Sequence, residues 1–320
     1  MSLNPRYWKG LGRQVAPIGF GCWQLAGNYE VKGKPHGWGA MEPQDAVRLM
    51  HAALDQGIQF FDTAAGYGAG RSEELLGKAL RSSTVAGEAV ICTKVGLLPE
   101  EINALALGTA FRQRVEGSLS RIGTERIDVL LLHGPPDDMP WKDLDKWALD
   151  ELVQEGKLGT YGISAVSLAG VENVLHAGFG TCVEWVFHLL ERRPEKLFPR
   201  LQERGMNFIA RSPLSRGLLS ERYRLEAPQF RPDEFRSNLP RDWVQWSIEA
   251  MRRIPAPGNN IAEHALRYCL SFEGMSVVIP GVRTPKQLES LERVRRSGPV
   301  AHGQLKAMFQ GIPVHYPAWT

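Results

Sequence analysis

Eight short apolar runs rich in β-branched residues recur along the chain, at 17–21, 58–61, 89–93, 127–132, 160–163, 183–187, 206–210 and 276–279. Between most of them lie amphipathic stretches of helical period, such as 44–56, 72–80, 109–122, 141–155, 168–176 and 261–271, usually bounded by Gly or Pro. Strands that alternate with helices make a parallel sheet with helices outside, and eight such units favour closure into a (β/α)8 barrel. An open doubly wound sheet loses ground because no G-x-G-x-x-G follows the first run. The fold class expected is therefore α/β, a (β/α)8 TIM barrel.

The 320 residues suit a single barrel domain spanning 1–320. Residues 6–14 precede the first run and suit a small N-terminal hairpin closing the barrel floor. The Pro- and Arg-rich stretch 213–241 is weakly periodic and reads as a long loop over the C-terminal mouth. At 43% hydrophobic and 23% charged, the chain can form a large core. Its four cysteines, Cys22, Cys92, Cys182 and Cys269, form no C-x-x-C pair and read as reduced core residues. The polar N-terminus lacks a signal peptide, and no apolar run is long enough for a membrane span, so a cytoplasmic protein with no membrane partner is expected.

Net charge is only +3, yet eleven arginines fall between Arg192 and Arg241. They read either as solvated helix faces or as a positive field for a phosphate-bearing cofactor or anionic substrate. Nucleic acid is not an expected partner, because the arginines are not interleaved with aromatics.

In a barrel, the residue that follows each strand sits at the active-site mouth. Asp62 follows IQFF, Lys94 follows VICT, His133 follows DVLLL and Ser164 follows YGI. Consecutive strands would thus aim Asp62, Lys94 and His133 into one mouth, with Tyr67 in reach from the turn after Asp62. Each residue alone has an ordinary structural reading. Together they suggest proton transfer, because a buried lysine needs a carboxylate partner, and an Asp-paired lysine beside Tyr67 would lower the phenol toward a useful range.

The segment FFDTAAGYGAGRSEELLGKAL, followed in order by ICTKVG, RIDVLLLHGPP, GKLGTYGIS, ARSPLSRGLLS and VVIPGVRTPKQLESL, resembles the aldo-keto reductases, in particular their bacterial and channel-β-subunit-like branch. The resemblance covers roughly residues 10–296. It implies an oxidoreductase that binds NADPH (or NADP+) at the mouth, uses no metal, and interconverts a small-molecule aldehyde or ketone and its alcohol. Catalysis would fall to Asp62, Tyr67, Lys94 and His133, with Tyr67 donating the proton. Ser164 and Glu184 would lie at the carboxamide, Arg211 against the nicotinamide, and Ser212, Pro213, Leu214, Arg216 and Gly217 along the pyrophosphate. At the adenosine end, Gly281 and Arg283 lie in a turn that feeds a helix N-terminus, a phosphate site on physical grounds. Arg283 favours the 2′-phosphate, and Gln287 matches an adenine contact.

The pattern departs from the family at several positions. Ala165 and Glu184 stand where amides are usual, the Tyr-Asn pair becomes Phe187-His188, and Ser290-Leu291 replaces E-N. A carboxylate cannot donate the hydrogen bonds of an amide, so Glu184 must find other partners. Trp23, which also borders the cofactor, and Trp38 are expected as aromatic walls suited to a sugar-like substrate. Gln24, Phe187 or His188, the loop 216–241 and the C-terminal 315–320 with Trp319 are further candidates. Tyr67 and His133 would touch the reacting carbonyl. Two other functions fit less well: a non-catalytic NADP-binding regulatory protein of the same fold, and a metal hydrolase, which lacks a second ligand near His133. Oligomeric state is not legible.

Overall fold

The computed structural model describes residues 3–97, 107–139, 141, 147–255, 260–301, 304, 309 and 311–316. Its frame is a barrel of eight parallel strands. They are β3 (Phe20–Gly21), β6 (Phe60–Asp62), β7 (Val90–Val95), β8 (Ile127–His133), β9 (Leu158–Ser164), β10 (Cys182–Val186), β11 (Asn207–Arg211) and β12 (Val277–Ile279). Neighbours in sequence are neighbours in space. The ring closes where Ile18 bridges Val278 and Gly21 bridges Gly281, both in parallel. All eight expected runs lie on these strands, although the first is a strand only at Phe20–Gly21.

Below the barrel, β1 (Arg6–Trp8) and β2 (Arg13–Val15) form the antiparallel floor hairpin. Its Trp8 and Val15 are fully buried and join Phe60, Val90, Cys92 and Val129 in an interior cluster. Alternate residues of the same strands, such as Phe61, Ile91 and Leu130, face outward into the larger cluster beneath the helices. Inside the barrel space is tight: a Cβ on Gly162 would sit 1.9 Å from the Cys182 carbonyl oxygen.

Around the barrel lie α1 (Pro43–Asp55), α2 (Arg71–Arg81), α3 (Leu107–Ile122), α4 (Trp147–Gln154), α5 (Leu168–Ala177), α6 (Phe198–Glu203), α7 (Glu221–Leu225), α8 (Arg241–Arg253), α9 (Ile261–Cys269) and α10 (Pro285–Ser297). Ser167 caps α5 and Thr284 caps α10 by accepting from the backbone N–H three residues on. Of the stretch expected helical at 141–155, residues 142–146 lie outside the described residues. The stretch 213–241 is not wholly loop. It carries α7 and a short 3-10 turn at Phe235–Asn238, and leads into α8, which buries Trp243, Ile248 and Met251. The loop after β3 folds back as a second hairpin, β4 (Glu30–Val31) with β5 (Lys34–Pro35), turning at Lys32 and Gly33 in the left-handed region.

Candidate active site

The strand period of two builds the site. Every second residue of a barrel strand faces in, and near the C-terminal ends the inward line changes from apolar to polar. Phe60 is followed inward by Asp62, Cys92 by Lys94, Leu131 by His133, Cys182 by Glu184 and Ile209 by Arg211. Parallel register then puts His133 level with Ser164, and Ser164 level with Glu184. Six strands thus contribute one polar layer.

Lys94 lies at the centre of that layer and is 0% exposed. Its Nζ donates to Asp62 Oδ1 at 2.5 Å and to the Thr63 carbonyl at 3.0 Å, and lies 3.4 Å from Glu184 Oε2. Burial alone would lower the ammonium, but Asp62 and Glu184 hold it well above its ordinary range. Two buried carboxylates around one lysine carry one proton more than the usual pair. Burial, then the Glu184 charge, pushes Asp62 up to about 8 despite Lys94. Burial would raise Glu184 too, but Lys94 and Arg211, with the Ser164 hydroxyl donating at 2.7 Å to Oε1, keep it below the usual carboxylate range.

Tyr67 occupies the turn after β6, where Gly68, Ala69 and Gly70 all have positive φ and swing the ring over the mouth. It stacks on Trp23 at 5.8 Å and meets the edge of His133 at 5.8 Å. The Lys94 ammonium lies 5.2 Å from its ring centre. Sequence reasoning expected this lysine to lower the phenol, and here the structure differs. Burial, with Asp62 and Glu184, keeps the phenol above its ordinary range, and Lys94 and Arg211 only partly offset them. Burial is the main cause, and the carboxylates of Asp62 and then Glu184 cancel part of the cation. His133 opens into the mouth, yet the protein around it and then Lys94 draw its imidazole down to about 4, so it is neutral at physiological pH.

A cavity of about 690 Å³ fills the mouth. Asp62, Tyr67, His133, Ser164 and Glu184 form its base, and Lys94 lies behind it. Arg211, Ser212, Pro213, Leu214, Arg216 and Gly217 line one side. Gly281, Arg283 and Gln287 line another, and Trp23, Gln24 and Trp38 a third. The residues just named, expected at cofactor or substrate, therefore border one cavity. Arg283 does more than line it. Its NH1 donates to the carbonyls of Gln24 and Trp38, and its NH2 to that of Ala40 at 2.7 Å. Gln287 accepts from the Arg283 backbone N–H at 2.8 Å.

Phe187 and His188 do not reach the mouth. Phe187 is buried against Phe198, Tyr268 and Phe272, and His188 Nδ1 accepts from the Leu190 N–H, because the chain turns inward after β10. Leu291 is buried on α10 beside a small floor cavity, away from the mouth. Trp319 lies outside the described residues. Sequence reasoning missed Tyr29 and His36, which the β4–β5 hairpin delivers to the wall. Trp23 donates to the Tyr29 hydroxyl at 2.8 Å, and His36 packs on Trp23 and Phe235. The sequence signal was weak, a lone Gly33 at the turn, because Glu30, Lys34 and Pro35 are poor strand formers. Arg236, with its guanidinium over Trp38, was covered only as part of a loop.

A parallel eight-stranded barrel with an ionised Lys-carboxylate centre under a long open mouth defines an enzyme site for moving protons at a bound small molecule. The comparisons specify the family. Residues 17–297 match the model of the aldo/keto reductase family, and the chain belongs to that family of NAD(P)-dependent oxidoreductases. It is 27% identical to aldo-keto reductase YhdN of Bacillus subtilis, over 88% of this chain and 86% of the relative. It is 28% identical to an L-galactose dehydrogenase of Arabidopsis thaliana, over 87% of this chain and 83% of the relative. Its fold is similar to that of the glycerol dehydrogenase AKR11B4 of Gluconobacter oxydans, with a TM-score of 0.77, 26% identity, and coverage of 99% and 98% of the two chains.

Proposed function

We propose that the protein is an NADPH-dependent oxidoreductase that interconverts a sugar-like or polyol-derived aldehyde or ketone and its alcohol, with Tyr67 as the proton donor. The observation that carries this reading is the buried Lys94–Asp62–Glu184 cluster directly behind Tyr67 and His133, at the base of the mouth. Such a cluster is costly to bury and contributes little that an apolar core could not. Its position behind a phenol and a neutral imidazole gives it a chemical use.

The residues present fit a dinucleotide. Ser212, Ser215, Arg216 and Gly217 all have positive φ, a backbone that turns amides into a concave row suited to phosphate. Among the described residues, Arg211 Nε is buried without a hydrogen-bond partner, 3.9 Å from Glu184 Oε1. Arg216 and Arg283 supply cations on two sides of the cavity, which favours the more anionic NADPH. When bound, the nicotinamide would supply the hydride. The remaining work belongs to this chain. His133, neutral at physiological pH, donates a hydrogen bond that orients the carbonyl oxygen. The Tyr67 O–H bond breaks as the substrate O–H forms, and Lys94 stabilises the phenolate left behind. The indoles of Trp23 and Trp38, with Tyr29 and His36, present flat apolar faces and polar edges that suit the C–H face and hydroxyls of a polyol. The names of the L-galactose and glycerol dehydrogenases support the same class.

Titration of the intrinsic tryptophan fluorescence with NADPH and with NADH tests the cofactor, since Trp23 and Trp38 line the mouth. Saturable quenching that favours NADPH is expected, followed by turnover in a screen of aldehydes, aldoses and polyols. Binding without turnover of any substrate would favour the regulatory reading, and no binding of either nucleotide would defeat both.

A further inference from the structure

The Lys94 ammonium donates two hydrogen bonds and makes one further ion pair, all to oxygens of its own cluster. Asp62 Oδ1 lies at 2.5 Å, the Thr63 carbonyl at 3.0 Å and Glu184 Oε2 at 3.4 Å. None of the Lys94 hydrogen bonds reaches the Tyr67 hydroxyl. Glu184 is itself held in place, its Oε1 accepting from Ser164 at 2.7 Å and lying 3.9 Å from Arg211 Nε. It is 1% exposed, and its Oε2 forms the ion pair with Lys94 and faces the Asp62 carboxyl.

We propose that Glu184 is a positioning residue that draws the Lys94 ammonium away from the Tyr67 hydroxyl and so helps set the pH range over which that hydroxyl donates its proton. The inference rests on the reductase reading for its catalytic consequence, but its physical content does not require turnover. A phenol is ionised more easily beside a lone cation than beside a cation shared by two carboxylates. An amide at residue 184 would leave Lys94 with one counter-charge and weaken its pull away from the Tyr67 oxygen. With the carboxylate present, proton donation to a carbonyl is retained at high pH, while the phenolate needed to take a proton from an alcohol is scarce. Glu184 therefore biases the site toward reduction at moderate pH.

The charged and titratable groups that face Tyr67 and Glu184 come from five barrel strands and one loop. They are Asp62 on β6, Cys92 and Lys94 on β7, His133 on β8, Cys182 on β10, Arg211 on β11 and, from the loop after β3, His36 beyond His133. Asp62 and Glu184 are the carboxylates beside Lys94, so in the alkaline range, where Asp62 is ionised with or without Glu184, the substitution Glu184→Gln changes the local charge by one. Near neutral pH Asp62, freed of its repulsive neighbour in that variant, ionises more readily and opposes the change, so the comparison is read above about pH 8, where Asp62 is ionised in both proteins.

The test compares wild type, Glu184→Gln and Glu184→Asp, each paired with its Tyr67→Phe version, by ultraviolet difference titration of tyrosinate in the absence of nucleotide. The alkaline limb of kcat/KM for carbonyl reduction is measured in parallel. In Glu184→Gln, Tyr67 ionises at a pH lower by about one unit or more, and the alkaline fall of reduction moves with it. Glu184→Asp keeps the charge and returns both toward wild type, which also guards against a misfolded Gln variant. The idea is overturned if the Tyr67 titration is unmoved in Glu184→Gln, or if that variant changes only the nucleotide dissociation constant. Loss of all turnover with a shifted tyrosinate titration would defeat the reductase reading and leave the electrostatic role of Glu184 standing.

Discussion

Arg283 donates to the main-chain carbonyl of Trp38 at 2.6 Å, tying the loop after β12 to the loop that carries the aromatic wall. The same guanidinium holds the carbonyls of Gln24 and Ala40, so one side chain closes the mouth across the seam of the barrel. Its Nε makes no hydrogen bond among the described residues and remains available to a phosphate. Arg283→Ala is therefore expected to weaken both nucleotides, because Trp23 and Trp38 lose their anchor. NADPH should lose about tenfold more than NADH, the size of one charge-assisted hydrogen bond. Fluorescence titration checks this, and equal losses would leave Arg283 with the structural role alone.

Lys94 and Tyr67 separate stability from chemistry. Lys94→Met strips the cation from between two buried carboxylates, and uncompensated buried charge of this kind costs about 3–5 kcal/mol until protons are taken up. Urea unfolding should show that loss, together with near-complete loss of turnover. Tyr67→Phe removes one hydroxyl that faces the cavity. It should leave the urea midpoint nearly unchanged while lowering turnover by roughly 10²- to 10⁴-fold, the usual contribution of a positioned proton donor. Nucleotide affinity should change little in the second variant. Near-native turnover in Tyr67→Phe would remove the phenol from the mechanism.

The parts of the site that depend on local periodicity were legible in the sequence. Asp62, Lys94 and His133 each follow an apolar run, and the rule that strand ends point into the mouth is enough to bring them together. Glu184 was visible as a residue but not as a partner of Lys94. That contact depends on how far β10 is staggered against β9, which side-chain alternation alone does not fix. The misjudged phenol has a different cause, the depth at which the turn buries Tyr67, to which Asp62 and Glu184 add. Arg283 was read as a ligand contact because a turn before a helix suggests one. Its partners are carbonyls distant in sequence, brought near by closure of the ring, and no short-range pattern announces them. Phe187 and His188 follow a strand, but the chain there turns into the core and they do not reach the mouth.

The floor hairpin offers a test of the packing. Trp8 is 0% exposed and its ring lies 5.3 Å from that of Phe60, two residues before Asp62 on the same inward line. Trp8→Ala should cost about 3–5 kcal/mol, since the rigid barrel cannot collapse into the space left. The hairpin lies at the end of the barrel opposite the mouth, so the folded fraction should bind nucleotide as wild type does. Chemical denaturation with a parallel binding titration measures both. A stability loss below about 1 kcal/mol would mean that the hairpin is not integral to the interior core.

Acid stability follows from His188. Burial, then Arg216, draws this imidazole from 6.5 down to about 3, and its Nδ1 accepts from the Leu190 N–H as only the neutral ring can. An unfolded histidine takes up a proton as pH falls through about 6.5, whereas the folded one does not. The native state is thus fully favoured above that pH and loses stability as pH falls toward the folded value. His188→Asn keeps an acceptor at the Nδ1 position and removes the titration. The wild type should lose about 2 kcal/mol from this residue between neutral pH and about pH 5. Urea midpoints at the two pH values should therefore lie closer together in His188→Asn than in wild type. An unchanged gap between them would mean that His188 is protonated in the folded protein and that the Leu190 contact does not hold it neutral.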